Sequence, residues 1–153
     1  MKKILLNGAD GNFGSKAADV LLEKWPHEDL IFAAPTAEGT SRYRKLGIDC
    51  RIADFNDPEG LAKTFQGADT IILISMPFVG PRRRAAHKNA IDAAVKATCV
   101  RIVYTSIVGA GEKDIDTYEV NAMYGPRPTC LSGPSIICSC AIRSMRKPWY
   151  RTM

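Results

Sequence analysis

The sequence predicts an α/β protein with a Rossmann-like, doubly wound parallel sheet that stops after about five strands. Short apolar runs alternate with helical patterns over the first 110 residues, as in parallel strands joined by right-handed crossovers. Most of these runs are apolar at consecutive positions, which is typical of strands covered by helices on both faces. A glycine-rich turn, Gly8–Gly14, joins the first run to the first helical pattern.

Five strands and three clear helices can be placed from these patterns. The strands are predicted at Lys3–Leu6, Leu30–Ala34, Cys50–Ala53, Thr70–Ser75 and Arg101–Thr105. The helices are predicted at Gly14–Lys24, after an Asp57 cap with Pro58 in the first turn, and at Pro81–Ala97. The segment Glu38–Leu46 has a weaker pattern and predicts one or two helical turns.

Residues 121–153 differ in composition from the rest of the chain. They contain four of the nine prolines, three of the five cysteines, five basic residues and no acid, so the net charge of +5 belongs to this segment. Beyond Ile136-Ile137-Cys138 they show no clear period. We therefore divide the chain into a Rossmann-like domain at 1–120 and an atypical Pro/Cys/Arg-rich tail at 121–153, which is expected to be a divergent or disordered end or the product of a frame change or truncation.

Composition argues against several classes of protein. The longest aliphatic run, Ile71–Ile74, is far shorter than the roughly 20 apolar residues of a membrane span, and we expect a cytoplasmic protein with reduced thiols. The basic residues of the tail are scattered without a recognisable module, so nucleic-acid binding is not favoured. Cys138-x-Cys140 with Cys130 lacks a second ligand pair, so no metal site is predicted.

The glycine turn has the spacing of a dinucleotide-binding loop. Gly8 permits a tight turn off the strand, Gly11 allows the backbone to approach phosphates, and Gly14 allows the helix to pack closely on the sheet. The residues between these glycines are also predicted to bind the cofactor; they include Asp10, Asn12 and Phe13. A helix N-terminus behind the loop favours binding of a pyrophosphate. The alternative is a glycine turn that serves packing alone.

The end of the second strand bears on the choice between NAD and NADP. An acid there accepts a bond from the ribose 2′-OH, whereas a basic residue accommodates a 2′-phosphate. The sequence reads Ala33-Ala34-Pro35-Thr36-Ala37, without an acid. This slightly favours NADP, with Arg42 or Arg44 as the phosphate partner, although both arginines also fit solvated helix positions.

Four motifs resemble the NmrA-like group of atypical short-chain dehydrogenases over residues 3–120. They are the glycine loop, Ala53-Asp54-Phe55-Asn56-Asp57, Ile72-Leu73-Ile74-Ser75 and Val103-Tyr104-Thr105-Ser106. Within the group, the chain looks most like NAD(P)H:quinone oxidoreductases and triphenylmethane-dye reductases. The resemblance implies that Asp54 and Phe55 lie beside the adenine. It also implies that Ser75, Met76 and Pro77 lie along the ribose and nicotinamide. Asp54 and Asn56 fit equally well as turn and cap residues.

The sequence departs from its relatives in two places. Pro35 stands where relatives commonly have an arginine, which weakens the argument for NADP. Ser106 and Tyr118 are spaced nearly as in typical short-chain dehydrogenases, whose tyrosine acts as a general acid beside a lysine four residues later. Ala122 occupies that position here. Ser106 and Tyr118 are therefore weak catalytic candidates, and a plain loop tyrosine is the alternative.

The resemblance implies an NAD(P)H-dependent oxidoreductase that passes hydride to a small, flat acceptor such as a quinone. NmrA-like reductases generally lack the tyrosine and lysine pair and position the acceptor against the nicotinamide, so its loss does not exclude hydride transfer. The alternative is a non-catalytic dinucleotide sensor, or an inactive cofactor domain without its substrate half. The expected ligands are the dinucleotide and the small-molecule acceptor.

Overall fold

The computed structural model describes residues 2–76, 81–107 and 136–142, with residues 106–107 and 136–142 described by their backbone alone. Its strands are β1 (Ile4–Asn7), β2 (Leu30–Ala34), β3 (Asp49–Ile52), β4 (Thr70–Leu73), β5 (Arg101–Ile107) and β6 (Ile136–Ile142). Its helices are α1 (Asn12–Lys24), α2 (Ser41–Arg44), α3 (Pro58–Phe65) and α4 (Pro81–Lys96). Two 3-10 turns lie at His27–Asp29 and Glu38–Thr40.

The strands form one sheet in the order β3-β2-β1-β4-β5-β6, and each neighbouring pair is parallel. This is the strand order of a doubly wound dinucleotide-binding fold, so the predicted fold class is confirmed. The chain leaves β1 to one side for β2 and β3 and to the other side for β4, β5 and β6. Loops at the carboxyl ends of β1 and β4 therefore border the crevice in which such folds bind ligands.

The sheet has one strand more than the sequence predicted. β6 pairs with β5 along its whole length, from Arg101 opposite Ile136 to Ile107 opposite Ile142. Only Ile136-Ile137-Cys138 was recognisable, because Ser139 and the small residues after it interrupt the apolar run. Ladder hydrogen bonds are made by the backbone whatever the side chain. The strand lies within the 121–153 segment that composition alone set apart.

Two apolar clusters cover the two faces of the sheet. Leu5 belongs to the cluster that includes α3 and α4, and Leu6 belongs to the cluster that includes α1 and α2. Consecutive residues of β1 thus enter opposite cores, as expected of a strand covered on both sides. The predicted small-residue face of α4 is buried at Ala86, Ala90, Ala93 and Ala94. In the part of the chain that the structure describes, no helix is long and apolar enough to cross a membrane.

Helix α3 begins as the sequence predicts. The Asp57 carboxylate accepts a hydrogen bond of 3.0 Å from the backbone N–H of Gly60, and Pro58 occupies the first helical turn. Such caps satisfy one of the orphan donors of a helix N-terminus.

Replacing Asp57 with alanine is expected to lower the free energy of unfolding by about 1 kcal/mol, because the Gly60 N–H loses its acceptor. Denaturant unfolding measures this change. The control is Glu59→Ala, because Glu59 lies in the same first turn but its side chain does not cap the helix. Equal losses in the two variants would contradict a capping role for Asp57.

Candidate functional site

The glycine turn after β1 is fastened to the end of β2. Gly8 has a φ of +76°, in the left-handed region that favours glycine. The backbone N–H groups of Gly8 and Ala9 both donate to the carbonyl of Ala33, at 2.9 and 3.1 Å. These two bonds hold the turn over the carboxyl ends of β1 and β2.

Gly14 brings helix α1 against this turn. A Cβ atom built on Gly14 would lie 1.8 Å from the carbonyl oxygen of Gly8, so no side chain fits there. A Cβ on Gly11 would meet only that same oxygen, at 3.4 Å, which is ordinary contact. Gly14 is therefore required by packing, whereas the outer side of Gly11 is open for the approach of a ligand.

The N-terminus of α1 is open to an anion. Gly11 caps the helix without a side-chain hydrogen bond, and the first turn contains no acidic residue. The N–H groups of the first helical residues, Asn12, Phe13 and Gly14, have no partner within a helix by its geometry. The helix dipole adds a favourable field for negative charge. A pyrophosphate fits these features, because it needs backbone donors and close approach.

The loop after β4 lies beside the glycine turn. The Cβ atom of Ile74 would be 3.5 Å from a Cβ on Gly8, and its Cδ1 atom 3.1 Å from a Cβ on Gly14. β4 ends at Leu73, two residues before the predicted end, because Ser75 leaves the ladder: its N–H donates to Thr105 Oγ1 at 2.8 Å and its Oγ to the Thr105 carbonyl. This loop and the glycine turn thus border one crevice.

Helix α4 holds Met76 at both of its backbone polar groups. The Met76 N–H donates to Nε2 of His87 at 3.2 Å, and Arg83 Nη1 donates to the Met76 carbonyl. Tyr104 Oη lies 2.7 Å from Nδ1 of His87. Because Nε2 accepts a bond, the His87 ring is neutral with its proton on Nδ1. Burial, with the nearby Arg83 charge, lowers the pKa of His87 to about 4.

This cluster was not predicted from the sequence. Three consecutive arginines at 82–84 would be expected on a solvated face, but Arg83 is only 2% exposed. His87 had no partner visible in the sequence and has two in the structure. The signal was present, since Arg83 and His87 are four residues apart and lie with Ala86 and Ala90 on the buried face of α4.

The loop after β3 is a tight turn. Asp54 Oδ1 accepts bonds from the N–H and the Nδ2 of Asn56, at 2.8 and 3.0 Å. Phe55 is 7% exposed, and its carbonyl accepts a bond of 3.0 Å from Asn89 Nδ2 on α4. The geometry favours the turn role for Asp54 and Asn56, while the adenine contact of Asp54 and Phe55 stays a prediction.

Two residues of α2 brace the start of α1 and the glycine turn. Arg42 Nη2 donates to the Ser15 carbonyl at 3.3 Å, to Asp19 Oδ1 at 3.1 Å and to the hydroxyl of Tyr43. Tyr43, which the sequence analysis did not single out, is buried, and its hydroxyl donates to the Ala9 carbonyl at 3.0 Å. The role of Arg42 as a 2′-phosphate partner stays a prediction.

Three further predicted site residues cannot be placed. Pro77 and Tyr118 lie outside the described residues, and of Ser106 only the backbone in β5 is described.

Comparison with known proteins gives one consistent family. The profile of a family described as NAD(P)H-binding matches residues 8–126. Quinone oxidoreductase 2 of Escherichia coli is 31% identical over 107 residues, which are 70% of this chain and 37% of that protein. An NmrA-like family domain-containing oxidoreductase of Aspergillus flavus is 24% identical over 112 residues, or 71% of this chain and 36% of that protein. The chain thus spans just over a third of the length of these relatives.

Solved structures show the same likeness. The triphenylmethane reductase of Citrobacter sp., complexed with NADP(H), superposes with a TM-score of 0.71 at 31% identity, over 77% of this chain and 42% of that one. The NADPH-dependent quinone oxidoreductase of Escherichia coli, complexed with NADPH, gives a TM-score of 0.66 at 30% identity, over 70% of this chain and 38% of that one. The chain therefore belongs to the NAD(P)H-binding family and, within it, to the NmrA-like proteins.

Proposed function

We propose that the chain binds NAD(P)H in the crevice between the loops after β1 and β4. It would promote the transfer of hydride from NAD(P)H to a small, flat acceptor such as a quinone. The observation that carries the proposal is the open N-terminus of α1 behind the Gly8–Gly14 turn, located where the strand order reverses. The relatives named as quinone oxidoreductase and triphenylmethane reductase support the acceptor class.

The described residues suit distinct parts of the dinucleotide. Backbone amides of Asn12 and Phe13 would bind the pyrophosphate, with Gly11 allowing its approach. Asp54 and Phe55 would border the adenine. The loop at Ser75 and Met76, continuing to Pro77, would border the ribose and nicotinamide. When bound, the reduced nicotinamide supplies the hydride.

The chain's own contribution would be positioning. Holding an acceptor at the correct distance and orientation provides a large share of the rate enhancement in reactions of this kind. Helix α4 binds the backbone N–H and carbonyl of Met76, so this residue would be held in place beside the nicotinamide. Ser106 and Tyr118 remain proposals for a proton donor to the reduced acceptor.

Both dinucleotides are candidates. Two relatives were crystallised with NADP(H) or NADPH, and the half-exposed Arg42 side chain would be the 2′-phosphate partner in that case. NAD(H) would instead be favoured by an acid beside the carboxyl end of β2.

A titration of the purified chain with NADH and NADPH, monitored by nicotinamide fluorescence, tests binding. Addition of a soluble naphthoquinone, with absorbance of the reduced nicotinamide as the readout, then tests hydride transfer. We expect saturable binding and oxidation that depends on the quinone. Binding without oxidation would instead indicate a dinucleotide sensor, and failure of both nucleotides to bind would overturn the proposal.

A further inference from the structure

Asp10, the third residue of the glycine turn, lies against the segment that follows β2. A Cβ atom built on Gly39 would lie 3.0 Å from the Cβ and 3.2 Å from the Cγ of Asp10. The same atom would lie 2.9 Å from the Cβ of Ala34, the last residue of β2. Asp10 therefore projects an exposed carboxylate beside the carboxyl end of β2.

This is the place at which a Rossmann fold distinguishes its two dinucleotides. An acid near the end of the second strand accepts a hydrogen bond from the ribose 2′-OH of NAD, whereas NADP has a phosphate at that position. β2 ends in Ala33-Ala34, is followed by Pro35, and provides no acid itself. The geometry places the carboxylate of Asp10 at the same end of the strand, although it comes from the preceding turn.

We infer that Asp10 is a specificity-determining residue that favours NAD(H) over NADP(H). The inference rests on the proposed function, since it concerns the adenosine ribose of a bound dinucleotide. The Asp10 carboxylate accepts a bond from a 2′-OH and repels a 2′-phosphate, which carries close to two negative charges at neutral pH.

The neighbouring charges reinforce this preference. Arg42, the residue most suited to neutralise a 2′-phosphate, is already bonded to Asp19 and to the Ser15 carbonyl on α1. Arg44 lies near the thiol of Cys50 at β3. Glu38, directly before Gly39 in the chain, is a second exposed acid in the segment. An incoming 2′-phosphate would thus meet Asp10 unless Arg42 left its contacts on α1.

The test compares dissociation constants for NADH and NADPH in the wild type and Asp10→Asn, by nicotinamide fluorescence at low salt. We expect the wild type to bind NADH at least about tenfold more tightly than NADPH. Asp10→Asn, which keeps the shape and removes the charge, should bind NADPH about tenfold more tightly than the wild type does, and NADH no more tightly. The preference should shrink at high salt, because the repulsion is exposed and screened.

A control variant makes the result specific. Glu23→Gln removes an exposed charge near the other end of α1 and should leave the NADH to NADPH ratio unchanged. A wild type that prefers NADPH, or an unchanged ratio in Asp10→Asn, overturns the inference while leaving the proposed function intact. Absence of binding to either nucleotide overturns both.

Discussion

Alanine at position 14 is expected to destabilise the protein by at least about 3 kcal/mol and to remove dinucleotide binding. The added methyl group would lie 1.8 Å from the Gly8 carbonyl oxygen and 2.7 Å from its carbon. Both atoms belong to backbone, which cannot rotate away as a side chain can. Helix α1 must therefore move off the turn, which disrupts packing and displaces the amides of its N-terminus from the crevice.

Denaturant unfolding and nucleotide titration measure the two effects of Gly14→Ala. Gly47→Ala is a matched control, since Gly47 has a φ of +80° and no atom within 4 Å of a built Cβ. It should cost only about 1 kcal/mol of left-handed strain and leave binding intact.

Gly11→Ala separates packing from ligand approach. Its methyl group has room against the protein, so the variant should fold with nearly normal stability while its affinity for dinucleotide falls. Equal stability losses at positions 11 and 14 would contradict the geometry of the turn. Normal binding by Gly11→Ala would instead show that the pyrophosphate does not approach at this glycine.

The fold could be predicted because its signals are local. β2 is a continuous apolar run that is buried at all five positions, and its boundaries match the prediction. The helix cap at Asp57 and the small-residue face of α4 also depend only on spacing within one element. β6 escaped prediction because pairing with β5, far away in sequence, defines it.

The candidate site likewise has one part that could be predicted from local sequence and another that depends on contacts between distant residues. The glycine turn is contiguous and could be recognised from its spacing, together with the strand before it and the helix after it. Tyr43 reaches Ala9 across 34 residues, and His87 reaches Tyr104 across 17. No pattern within one element reports such contacts. The charge of Asp10 was visible in the sequence, but its position beside Gly39 and the end of β2 depends on the tertiary fold.

Lowering the pH is expected to destabilise the protein because of His87. The loss of stability should begin well above the pH at which this residue titrates in the folded state. Its pKa is about 4 when folded, and a histidine in an unfolded chain has a pKa of about 6.5. Between these values the unfolded chain binds a proton that the folded chain does not, so lowering the pH favours unfolding. The contribution of neutral His87 to the free energy of unfolding is fully present above pH 6.5, and it falls by about 3 kcal/mol as the pH is lowered to 4.

The variant His87→Gln isolates this effect. Its side-chain oxygen can accept the Met76 N–H bond, but the side chain does not titrate, so the slope of stability against pH between 6.5 and 4 should become shallower than in the wild type. His27→Gln, at an exposed position, is the control and should keep the wild-type slope. Urea unfolding at a series of pH values measures all three. Parallel slopes for wild type and His87→Gln would show that His87 is not held neutral, and the Met76 N–H would then require another acceptor.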